Sequence, residues 1–107
     1  MKQWDIFLVP HPTPEDPHPA VIISNDLICA NPQFEGVNVL TCQTVRPPQR
    51  PKKPSEVYLD EADGLNWRTL AKCDFIHIVR KSEAMEKRGE VCPQRIAEIR
   101  KRLQEFF

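Results

Sequence analysis

His18-Pro19-Ala20-Val21-Ile22-Ile23-Ser24-Asn25-Asp26 decides the fold. Val21, Ile22 and Ile23 are β-branched and unbroken by any polar residue, the pattern of a strand buried on both faces or curled into a barrel. This stretch reads as the central strand. Pro19 fixes its own φ and biases His18 away from helical geometry, so an imidazole is presented in extended conformation at the start of the core strand. Asn25-Asp26 supplies turn or cap chemistry, and Leu27 to Cys29 fits one helical turn before Asn31-Pro32 breaks it.

On the N-terminal side, Lys2 to Val9 carries Trp4, Ile6, Phe7 and Val9, and reads as a first strand ended by Pro10. Pro10 to Pro19 holds five prolines with His11, Glu15, Asp16 and His18, and reads as a stiff loop, because a ladder interior does not lose that many donors. On the C-terminal side, Gly36 to Val45 alternates as a third strand. Val37, Val39, Thr41 and Gln43 fall on one face, Asn38, Leu40, Cys42 and Thr44 on the other. A second proline-rich loop follows, with Arg46, Arg50, Lys52 and Lys53 and no carboxylate. Ser55 to Leu59 is a fourth short strand, and Asp60 to Gly64 an acidic turn. Thr69 to Val79 reads as a long or broken strand in which Asp74 is the one carboxylate. Ser82 to Lys87 fits a brief helix, and Gly89-Glu90-Val91 an extended link.

Pro93 to about Glu105 is the clearest helix, with proline at the first position where a missing donor costs nothing. Ile96, Ile99, Leu103 and Phe106 recur at helical spacing as one apolar stripe, leaving Arg95, Glu98, Arg102 and Glu105 outward. The sum is about five short strands and a C-terminal helix: a small, strongly curved sheet or barrel capped by helices.

Composition narrows the function classes. The 107 residues hold one domain, 1–107, and one modest core, which excludes large enzyme architectures. Lys plus Arg equals Asp plus Glu at 15 each, so no global charge excess points to nucleic acid, membrane or acidic substrate. The basic run 46–53 and the group Arg95, Arg100, Lys101 and Arg102 are local cations, suited either to phosphate or to a solvated face. The four cysteines are widely spaced with no Cys-x-x-Cys pair, and a structural metal site is not expected. No secretory h-region or long apolar stretch is present, so the expected location is cytoplasmic, away from the membrane, with reduced thiols.

Several stretches, in order, resemble the MazF/PemK/Kid family of bacterial toxins from toxin–antitoxin pairs. Trp4-Asp5-Ile6-Phe7-Leu8-Val9 is similar to the family's Gly-Asp-Ile/Val opening strand, without its glycine. His18-Pro19-Ala20-Val21-Ile22-Ile23-Ser24-Asn25 resembles its Arg-Pro-Ala/Val strand, with His18 in place of the arginine. Leu40-Thr41-Cys42-Gln43-Thr44 is similar to a strand ending in Thr or Ser. Cys73-Asp74-Phe75 resembles its Asp-Gln, with Phe75 replacing the glutamine. Lys87 to Pro93 resembles the Gly-x-(Leu/Val)-x-Pro lead into the last helix.

The resemblance implies an SH3-like β-barrel of CcdB/PemK type with a C-terminal α-helix, usually a homodimer. It implies cleavage of single-stranded RNA with no metal or other cofactor, and silencing by a cognate antitoxin protein. By position, Asp74 matches the base of some members, Lys72 lies where their catalytic arginine stands, and Thr44 matches a substrate-contacting Thr or Ser. Within this reading His18 or Lys72 serves as acid and electrostatic stabiliser, and Thr44 with Arg46 positions the phosphate. Lys72 and Asp74, two apart on a strand, share a face.

Each residue also has a structural reading. Asp74 fits a carboxylate bonded to backbone at a strand end, His11 and His18 fit loop histidines, and His77 fits a satisfied core or edge histidine. Thr44 fits a plain strand residue. Trp4 and Trp67 fit base stacking, core or dimer contact. The second functional reading is a barrel that binds protein without cutting RNA, similar to the CcdB toxins that act on DNA gyrase. Replacement of a permanent guanidinium by His18 fits that reading too.

Overall fold

In the computed structural model, residues 1–44 and 51–107 are described; Arg46 and the start of the second proline-rich loop lie outside them. The chain forms β1 (Asp5–Thr13), β2 (Asp16–Ile22), α1 (Asp26–Ala30), β3 (Gly36–Thr44), β4 (Glu56–Leu59), β5 (Thr69–Lys72), β6 (His77–Arg80), β7 (Glu86–Glu90) and α2 (Pro93–Phe106). Short 3₁₀ turns lie at Glu61–Asp63 and Lys81–Glu83. The strands form one curled antiparallel sheet in the order β4-β5-β3-β2-β1-β7, with β6 also paired to β3.

The apolar run at 20–22 is buried on both faces, as its composition predicts. Val21 faces a core built with Ile6, Leu40, Val57, Leu59 and Ile99, against which α2 sets Ile96 and Leu103. Ala20 and Ile22 face a second core with Val9, Val37, Val39 and Val79, on which α1 sets Ile28 and Cys29. β3 serves both cores by alternation: Val37 and Val39 on one side, Leu40 and Cys42 on the other.

Four local readings are corrected. Pro10 does not end the first strand, and 10–19 is not a loop: β1 and β2 form a hairpin with an irregularity between Val9 and Thr13. The prolines are tolerated because this ribbon outruns its neighbours. β7 pairs with β1 only at Asp5–Leu8, and β3 pairs with β2 only at Ala20–Ile22, so beyond those positions the outer edges require no donors. Residues 86–90, read as the end of a helix and a link, form β7, and only Lys81–Glu83 turns helically. The described strands therefore exceed the five expected. Phe106 leaves the helix stripe and is exposed.

Arg95 is the fourth. It turns inward rather than to solvent, bonding the Asp60 and Asp63 carboxylates at 3.1 Å each and the Tyr58 carbonyl. Asp63 is buried, and its two oxygens also accept the backbone N–H of Asp60 and of Cys92, each at 2.9 Å. The Cys92 side chain makes no cap for α2. Asp63, 29 residues earlier in the chain, thus satisfies a donor at the helix start. Gly89 packs directly on this turn: a Cβ there would stand 2.1 Å from the Asp63 carbonyl oxygen.

Removing one partner of a buried ion pair leaves the other uncompensated, so Asp63→Ala should lower the urea-unfolding free energy by about 3 kcal/mol. Glu61→Ala, in the same 3₁₀ turn but exposed, should change it by under about 0.5 kcal/mol. Equal stabilities of the two variants would contradict the assignment of Asp63 as the anchor of α2.

Candidate functional site

The segment 69–79, read as a long or broken strand, is broken, and the break makes the site. β5 and β6 lie end to end along the same edge of β3. Between the pairs Ala71–Cys42 and His77–Val39, residues 72–76 of one strand stand opposite residues 40 and 41 of the other. The surplus chain bulges away from the ladder, and bulges of this kind re-aim side chains. Here Lys72, Asp74 and Phe75 turn toward a cleft of about 640 Å³ whose opposite wall is the projecting β1–β2 ribbon.

That cleft gathers residues far apart in sequence. His11, Asp16 and His18 come from the ribbon, Thr41, Cys42 and Gln43 from β3, and Lys72, Asp74, Phe75 and His77 from the end of β5, the bulge and the start of β6. All three histidines of the chain are among them. Of the residues singled out from sequence, His18, Lys72 and Asp74 are brought together. Thr44 is not: it lines an adjoining cleft of about 740 Å³ with Leu65, Trp67, Thr69, Lys87 and Arg88. Asp16, His18 and Gln43 border both hollows, which therefore run together as one trough.

His18 is held in a defined tautomer. Its Nδ1 lies 2.9 Å from the His11 carbonyl oxygen and 3.0 Å from that of Asp16. Both partners are acceptors only, so Nδ1 carries the hydrogen and Nε2 is left for a ligand. The Lys72 and Asp74 side chains make no hydrogen bond or ion pair with other described residues, which leaves an ammonium and a carboxylate open to the cleft.

His11 and His77, weighed from sequence as loop and core histidines, instead build the cleft wall. Their ring centroids are 4.3 Å apart, and Phe75 lies 4.4 Å from His77. Desolvation, then the positive charges of His11 and Lys72, hold the His77 imidazole below its ordinary 6.5.

The cysteines do not supply a nucleophile here. All four are free, and burial pushes the Cys42 and Cys73 thiols up, Cys73 to about 12, where the thiolate is scarce at neutral pH. Among the described residues no three His, Cys, Asp or Glu side chains are placed to hold a metal ion. No helix among them is long and apolar enough to cross a membrane.

Other sequence candidates go elsewhere. Lys52 pairs with Glu98 at 2.9 Å and lies over Tyr58. Trp4 packs on the core under Arg100, whereas Trp67 is exposed on the adjoining cleft. Of the C-terminal cations, Arg95 is committed to the Asp63 anchor and Arg102 bonds Glu105.

Comparison with solved structures shows the same fold. An endoribonuclease in complex with its cognate antitoxin from mycobacterial species superposes with a TM-score of 0.81 at 20% identity, covering 99% of this chain and 93% of that one. The Mycobacterium tuberculosis toxin MazF-mt6 gives 0.78 at 16% identity, with 96% and 95% covered. MazE-MazF from Deinococcus radiodurans gives 0.75 at 16% identity, with 98% and 92% covered. At such identities the likeness establishes the fold alone. Among curated proteins none matches. The family model described as PemK-like, MazF-like toxin of type II toxin-antitoxin system matches residues 2–107, so the chain, end to end, belongs to the PemK/MazF toxin family.

Proposed function

We propose that this toxin-family protein is an endoribonuclease that cleaves single-stranded RNA by attack of the ribose 2′-hydroxyl on the adjacent phosphorus. One observation carries the reading: His18, Lys72 and Asp74, from separate parts of the chain, face one cleft with their reactive atoms unengaged by other described groups. The reaction needs a base, an acid and positive charge on the phosphorane. Asp74 takes the 2′-hydroxyl proton as the 2′-oxygen bonds phosphorus. The bond to the 5′-oxygen breaks, and the Nε2–H of a protonated His18 supplies its proton. Lys72 stabilises the extra charge on the phosphoryl oxygens. The products are a 2′,3′-cyclic phosphate and a free 5′-hydroxyl, and no step calls on a metal ion.

The trough supports a single-stranded substrate. From Asp74 past His18 it continues to Thr44 and Trp67, with Lys87 and Arg88 along its rim, a path for an extended strand rather than a paired helix. Thr44 holds the strand beyond the cut, and Arg46, outside the described residues, is assigned a phosphate contact on the family resemblance. The protein acts as a homodimer, and a cognate antitoxin silences it by occupying this trough.

Incubating purified protein with a long unstructured RNA in EDTA should give fragments ending in cyclic phosphate by mass spectrometry. Asp74→Asn should slow cleavage at least ~100-fold, the lower range for loss of a general base, and His18→Gln by a similar factor. A folded Asp74→Asn that still cuts at the wild-type rate removes Asp74 from the mechanism. No cleavage by the wild type, freed of antitoxin, would favour the non-catalytic, protein-binding barrel.

Proton linkage gives a second test. A histidine held below its ordinary value is charged more readily in the unfolded chain, so its contribution to stability is complete above pH 6.5 and lost as pH falls toward its folded value. His77→Gln should therefore flatten the loss of stability between neutral pH and pH 5 in parallel urea titrations. In ring NMR titrations, Lys72→Met should bring His77 back toward 6.5. A His77 titration that ignores Lys72 would place the ammonium outside the cleft.

A further inference from the structure

Phe75 is an apolar ring that the fold does not use. It is 58% exposed, belongs to neither core, and sits in the bulge between β5 and β6 rather than in the ladder. Yet one side of it is supported. The His77 ring lies 4.4 Å away at 40°, and His11 lies 4.3 Å beyond that at 57°, so three tilted rings run from the bulge to the β1–β2 ribbon. His77 is anchored by its pairing with Val39, and the ribbon carries His11. A surface ring braced from behind and open in front is a stacking platform held in place before a ligand arrives.

Its neighbours say what stacks there. Phe75 follows Asp74 directly, and both line the same cleft as Lys72. A ligand that sets a phosphate beside Lys72 and Asp74 brings the adjoining aromatic base within reach of the ring.

We infer that Phe75, braced by His77 and His11, is the platform on which a nucleobase next to the scissile phosphate stacks. This rests on the proposed RNA-cleaving reading and adds to it a substrate-binding residue and the surface it uses. Every base has a π-face, so the platform adds affinity without choosing among bases. Its contribution shows in binding and in KM, whereas Asp74 and His18 act on the chemical step.

The test uses a panel of short, fluorescein-labelled 2′-O-methyl oligonucleotides, which lack the attacking hydroxyl and survive incubation. Kd is read by fluorescence anisotropy for wild type, Phe75→Ala, Phe75→Leu and Phe75→Trp, each checked for folding by circular dichroism. Phe75→Ala should raise Kd by about 10-fold, within the range found for loss of one base–aromatic stack. Phe75→Leu should behave like the alanine variant and Phe75→Trp like wild type. The tightest oligonucleotide, resynthesised with an abasic residue at each position in turn, should weaken at one position for wild type and not at that position for Phe75→Ala.

A Phe75→Ala variant that binds the panel as wild type does, while wild type cuts RNA, overturns the platform and leaves the cleavage reading standing. Equal binding by the leucine variant and wild type overturns stacking in favour of plain apolar contact. Phe75-dependent binding by a protein that cuts no RNA supports the platform and defeats the catalytic reading. Wild type that binds no member of the panel overturns both.

Discussion

The carboxylate of Asp63 is the point on which the barrel closes. It is buried, and it accepts from the Asp60 and Cys92 backbone and from the Arg95 guanidinium. A charge taken out of water is tolerable only when its lone pairs are engaged, and here the engagement spans the acidic turn, the chain leading from β7 and the first turn of α2. Those parts cannot separate without leaving the carboxylate bare. The approach is close enough that Gly89 is the residue β7 can place against the turn. With α2 anchored, Ile96, Ile99 and Leu103 close the concave core that Val21 and Leu40 present from the sheet.

A closed core on one face and α1 on the other leave the sheet little freedom along its length, and the site arises where its pairing fails. β3 is longer than either partner on its outer edge, so β5 and β6 share that edge and the surplus residues between them bulge outward. The β1–β2 ribbon, released from β7 and β3 beyond Leu8 and Ala20, projects toward the same region and adds two histidines. The cleft is a consequence of two mismatched strand lengths. Its cations, carboxylates and imidazoles sit on elements whose other ends are buried, which is how a small barrel presents reactive groups in a fixed geometry.

Sequence pattern disclosed the parts of this that hydrophobic burial dictates. The β-branched run at 21–23, the alternation of β3 and the stripe of α2 through Leu103 could be read because periodicity reports which face is covered. The proline-rich ribbon could not, because proline statistics describe paired strands, and its edges have no partner at those positions. Arg95 was misread for a related reason. Helical periodicity places it outward, but the buried Asp63 that draws it in is 32 residues away. In the site, Asp74 stood out as the one carboxylate in an apolar segment and His18 by its place before the core strand, whereas Lys72 came from the family resemblance. His11 and His77 did not, since each looks ordinary alone, and only the bulge brings their rings together.

The central claim is that one cleft, walled by His11, His18 and His77, receives the RNA strand. The chain has no other histidines, so the imidazole nitrogens report on that cleft alone. The most direct measurement is a long-range ¹H–¹⁵N spectrum of the histidine rings during titration with a non-cleavable 2′-O-methyl strand. All three rings should shift together along one binding curve, with Nε2 of His18 moving and its Nδ1 retaining its proton. Saturable binding with all three rings unmoved would place the RNA elsewhere on the barrel and contradict the account.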